Sequence, residues 1–158
     1  MFVPHQRPAP GTPDGAGHAG AAPDGGAVVD DGVVLAPGRT ERGTLVLRVF
    51  GELDLLSTPR CRAAASTLLG QAAAATRAVG PGGRGRVVVD LSGVVFAGAS
   101  ALAMLVELQE QATRDEVELV VVVAGGMVRR MLGLTGLDRL LTVRDELLGP
   151  VEAGAHEG

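Results

Sequence analysis

The chain has 158 residues, a net charge of −4, 46% hydrophobic and 20% charged residues, and only three aromatics, Phe2, Phe50 and Phe96. That length buries the core of one domain, and with neither a basic field nor a stacking platform the composition argues against a nucleic-acid partner. A single cysteine, Cys61, excludes an internal disulfide and a cysteine-built zinc site, and no apolar run approaches the roughly 20 residues of a membrane helix.

Residues 1–42 are dominated by Pro, Gly, Ala and Asp, with one short apolar patch at residues 33–35. Burial that thin does not offset the ordering cost, so this segment is expected to be a disordered tail. It lacks a charged stretch leading into an apolar one, which argues against a secretory signal and for a cytoplasmic protein. His5 and His18 fall in this tail and His156 in a weak C-terminal one, so all three read as solvated.

Residues 44–50 (TLVLRVF) predict a strand, and Gly51, Glu52, Leu53 and Asp54 a turn carrying two carboxylates. Thr58 before Pro59 predicts a helix start, a hydroxyl cap followed by proline. In that helix Cys61, Ala65, Leu68, Ala72 and Ala75 recur at spacings of three and four, one apolar stripe facing a sheet. Cys61 is then a core residue. The glycines of residues 80–85 leave a helix and enter a strand, the reverse of a phosphate loop, and read as a flexible connection.

Residues 86–91 form an unbroken β-branched run, the mark of an inner strand covered on both faces. Ser92 and Gly93 interrupt it, residues 94–96 restart it, and the small residues 97–100 turn the chain into a helix lined by Ala101, Leu105, Leu108 and Ala112. Leu102 and Val106 fall outside that stripe, either buried in a wide groove or part of a partner patch. Residues 117–123 predict another buried strand and residues 127–132 a short helix exposing Arg129 and Arg130. Gly136 then allows a tight turn into a last strand at residues 140–143. Strands alternating with helices over short connections give an α/β domain, a mixed sheet of about four to five strands with helices mainly on one side.

Chemistry is sparse. No histidine lies in the folded part to activate a nucleophile, no metal-ligand spacing appears, and Glu52 and Asp54, alternating along extended chain, are turn-forming rather than a convergent pair. No enzyme, cofactor or metal is expected.

Three stretches carry a resemblance: VFGELDLLSTPRC at 49–61, VVVDLSGVVFAGASALAML at 87–105 and MVRRMLGLTGLDRLLTV at 127–143. Together and in this order they resemble the STAS domain family of anti-sigma factor antagonists. The domain would span residues 43–148, with a disordered tail before it and a flexible one at 149–158. The resemblance implies a binding protein that engages an anti-sigma factor, itself a serine kinase, and so frees a sigma factor. The kinase would phosphorylate a serine in a D-S-S-G or D-S-T-G turn to break the complex. Here that turn reads Gly98–Ala99–Ser100–Ala101, so the phosphoacceptor position falls on Ala99. Ser100, the next hydroxyl, is either the helix cap or a shifted phosphoacceptor, and the cap is the simpler role. The resemblance places the partner-binding surface at Glu52, Asp54, Ser92, Gly98, Ala99, Ser100 and Leu102. A STAS-fold scaffold or ligand-sensing module with no sigma-factor partner is the alternative.

Overall fold

The computed structural model describes residues 28–30, 32–147 and 149–153. The element order is β1 (Val28–Asp30), β2 (Val33–Thr40), β3 (Leu45–Leu53), α1 (Thr58–Val79), β4 (Gly85–Ala97), α2 (Ala99–Arg114), β5 (Val117–Val122), α3 (Gly126–Thr135), α4 (Leu137–Leu140), β6 (Thr142–Arg144) and β7 (Val151–Ala153). Strands β1 to β6 lie side by side in chain order, and β7 joins the edge of β2. Pairing is antiparallel among β1, β2 and β3 and parallel from β3 through β6. The sheet is thus mixed, as expected, with seven strands rather than four or five.

The added strands correct the expected tails. Residues 33–40 are not disordered: Val33, Leu35 and Ala36 are buried, because β2 pairs with β3 along its length. The C-terminal segment is not wholly loose either, since Val151–Ala153 pairs with Gly38–Thr40. The short strands β1 and β7 were illegible because each borrows its stability from β2. His5, His18 and His156 lie outside the described residues.

One face of the sheet carries Leu47, Val49, Val87, Val89, Leu119 and Val121 against α1, α2 and α3, forming the main core. On the other face, among the described residues, Val46, Val88, Val120 and Val122 pack against the C-terminal segment through Leu147 and Val151. Both faces of β4 and β5 are therefore buried, as their unbroken valine runs require. In α1 the buried stripe is Cys61, Ala65, Leu68, Leu69, Ala72 and Ala73, and Ala75, expected in it, is exposed. The last strand comes two residues later than expected, since residues 137–140 make a helical turn first.

Ser92 and Gly93 do not end the central strand. It runs 13 residues, with two register irregularities against β3, between Arg48 and Phe50 and between Gly51 and Glu52. Gly93 sits in the first irregularity because the Phe50 ring lies over it: a Cβ there would stand 2.4 Å from Phe50 Cδ1. Gly51 is required twice over. Its φ of +102° suits glycine alone, and a Cβ would meet the Gly32 carbonyl oxygen at 2.2 Å.

Candidate functional site: the carboxyl edge of the sheet

Because β3 and β4 run parallel, both reach the same edge, and α1 and α2 both start there. In open α/β sheets this is where function gathers. The first connection is a built turn. Asp54 Oδ1 accepts from the Leu56 and Ser57 N–H groups, each at 2.9 Å. The fully buried Ser57 hydroxyl accepts from Asp54 N–H at 3.0 Å and donates to the Glu52 carbonyl at 2.6 Å. The Ser57 N–H, joined by the Leu56 N–H, holds the Asp54 carboxyl below its ordinary range. Asp54 is therefore a turn-forming carboxylate, as its position suggested, while Glu52 is exposed.

The second connection is tied to the first. Gly98 N–H donates to Leu53 O at 2.9 Å, fixing the α2 start against the end of β3. Thr58, fully buried, donates its single hydroxyl proton to Asp54 O at 2.5 Å. Its contact with Ser100 Oγ at 3.2 Å must then have Ser100 as donor, since Thr58 has no second proton. A chain of hydroxyls thus clamps the starts of α1 and α2 together. Farther down, Arg62 pairs with Glu107 at 3.1 Å and Ser66 donates to Gln111 Oε1 at 2.8 Å.

Both expected caps need correction. The α1 cap is Ser57, one residue before Thr58, because Asp54 and Ser57 already form the turn. The α2 cap is Gly98, not Ser100, with no side-chain capping bond; Ser100 is drawn one position inside the helix by its bond to Thr58. Ala99, where the motif resemblance puts the phosphoacceptor, is exposed at the first helical residue, and Leu102 is partly buried against the core.

Of the expected contact residues, the fold brings Glu52, Asp54, Gly98, Ala99 and Ser100 to one edge, with Leu102 one turn into α2. Ser92 is separate, about 15 Å back along β4 by strand rise, with its N–H bonded to Asp90 Oδ1. Sequence reasoning missed the apolar part of this edge: Leu55 is 78% exposed, Leu56 73%, Val95 71% and Phe96 44%. The Phe96 ring lies beside Gly98, whose Cβ would be 3.6 Å from Phe96 Cε2. Among the described residues, no group of three or more His, Cys, Asp or Glu could hold a metal ion, and no helix is long and apolar enough to cross a membrane.

A search of curated proteins by sequence finds no match. Among solved structures, the fold is similar to an anti-sigma factor antagonist from Mycobacterium paratuberculosis, with a TM-score of 0.61 and 25% identity, covering 75% of this chain and 91% of that one. It is also similar to the anti-sigma factor antagonist SpoIIAA in its unphosphorylated form, with a TM-score of 0.51 and 18% identity over 72% of this chain and 89% of that one, a likeness of fold. The model of the STAS domain matches residues 38–148, beginning inside β2 and so including the end of a strand that composition alone assigned to a tail. A mixed sheet with its helices started side by side at one edge, and a family match that runs from the end of β2 through β6, lead to one conclusion: the chain belongs to the STAS domain family.

Proposed function

We propose that this chain is an anti-sigma factor antagonist of the cytoplasm, binding an anti-sigma factor of the serine-kinase type and so freeing a sigma factor. The observation that carries this reading is the carboxyl edge itself, where exposed Leu55, Leu56, Val95 and Phe96 surround the uncharged Gly98–Ala99 turn. An apolar patch rimmed by polar groups is the ordinary form of a protein-binding surface. The similarity to an anti-sigma factor antagonist at 25% identity supports the partner class. The chain acts here by binding and performs no reaction.

The phosphoserine switch is lost in this reading. Ala99 has no hydroxyl, and the Ser100 proton is already given to Thr58. A phosphate would bring about −1.5 to −2 charges to this edge, and without an acceptor the complex stays permanently competent. Control then lies in the amount of each protein.

The test has two parts. The tagged chain is used to capture partners from its own cells, and an anti-sigma factor with an ATP-binding kinase domain is expected. The complex is then incubated with ATP and the chain weighed intact; unchanged mass with retained binding is expected. Failure to bind any such kinase overturns the partner reading, and one phosphate mapped to Ser100 overturns the loss of the switch.

A further inference from the structure

At the other end of the sheet, where β3, β4 and β5 begin, a groove of about 530 Å³ runs between the β2–β3 hairpin, the end of α1 and the glycine-rich loop before β4. Arg39, Arg42, Arg84 and Arg86 all line it, against one carboxylate, Glu118. In a chain of net charge −4 this is a local reversal of sign. Glu118 is committed to Arg86, and Glu152 lies opposite Arg39 in the β2–β7 pair. Arg39, Arg42 and Arg84 make no ion pair with any described residue. All of the chain's basic residues are arginine and none is lysine. Guanidinium is the planar fork that matches phosphate oxygens two at a time.

We propose that this groove is a second binding site, which takes a phosphate-bearing small anion between Arg42 and Arg84. Arg42 stands on the hairpin and Arg84 on the loop, so the two reach the groove from opposite walls. Thr44 on one wall adds a hydroxyl, and Ala75 and Val79 on α1 add an apolar strip that suits a flat organic group attached to the phosphate. The volume lies in the range of small-molecule sites. The β4 strand separates this groove from the carboxyl edge by about 40 Å at the usual rise, so both sites are free to be filled at once. The proposal does not depend on the identity of the partner at the carboxyl edge.

The test is a titration of the full chain with inorganic tripolyphosphate at low salt, followed by amide chemical shifts, and repeated with adenosine triphosphate. With tripolyphosphate, saturable shifts confined to residues 39–45 and 80–86 are expected. The double variant Arg42→Gln/Arg84→Gln is expected to weaken binding at least about tenfold, as loss of charge-assisted bonds requires. The control Arg130→Gln/Arg139→Gln removes the same charge from exposed positions elsewhere and is expected to leave affinity unchanged. Equal affinity for the two probes assigns a free polyphosphate as the ligand class, and tighter nucleotide binding with added shifts at Ala75 and Val79 assigns a nucleotide; both support the site. Absence of saturable shifts, or equal loss in the two double variants, overturns it.

Discussion

Ala99→Asp separates the fold from the binding surface, because the two respond with opposite sign. Ala99 is the first residue of α2, exposed, and preceded by a Gly98 cap that offers no side-chain acceptor. Backbone bonds to Gly98 O begin only at Ala101 and Leu102. A carboxylate at this helix start meets unpaired N–H groups and the positive end of the dipole, an interaction worth about 0.3–1 kcal/mol at low salt. For a domain of this size that raises the unfolding midpoint by roughly 1–4 °C. On the partner side the same charge enters a contact built around Gly98, Ala99 and exposed apolar side chains. An unpaired charge buried in an interface costs about 2–5 kcal/mol, a loss of affinity on the order of 30-fold or more. The assay pairs thermal unfolding with calorimetric titration of the captured anti-sigma factor. A midpoint that falls by several degrees, or an affinity that does not change, refutes the assignment of Ala99 to an exposed helix start within the contact surface.

Ala99→Ser restores a hydroxyl at the same position and is expected to bind normally until the kinase and ATP are added, then to gain one phosphate by intact mass and lose the partner. Gly93→Ala forces a methyl against the Phe50 ring and is expected to destabilise by about 1–3 kcal/mol in urea unfolding, with Phe50→Leu in the same chain recovering part of the loss. Cys61, fully buried, has its thiol pushed up to about 12 by desolvation, so it is expected to resist a disulfide reagent in the native protein and react only at the rate of opening. Asp54, held below the ordinary carboxylate range by Ser57 N–H, contributes stability that is present above the unfolded pKa and lost as pH falls through the folded one; Asp54→Asn is expected to flatten the acid limb of the stability–pH curve, and an unchanged limb would refute the role of this turn.

The long parallel strands were legible because valines on both faces leave no other reading, and α1 and α2 because their small apolar residues recur at helical spacing. The edge was half legible. Glu52, Asp54, Gly98 and Ala99 came from motif positions, and the fold gathers them. Ser100 was misread because capping is a local preference, whereas its hydroxyl is fixed by Thr58, 42 positions away in sequence. Ser92 was placed with the site by motif position alone, which carries no distance along the strand. Irregular pairing with β3 instead keeps β4 extended through Ser92, and strand length carries this residue away from the edge. The short β1 and β7 exist only as additions to β2, which no property of three residues announces.

One side of β2 serves both ends of the described chain: Val28 stands opposite Leu35 and Ala153 opposite Gly38. Three positions along one strand amount to about 10 Å. A short glycine linker could therefore close the polypeptide into a ring, and new ends cut within residues 80–85 would leave every strand pairing in place. Such a rearranged molecule would keep the carboxyl edge whole while freeing the opposite end of the sheet for attachment to a surface or a reporter.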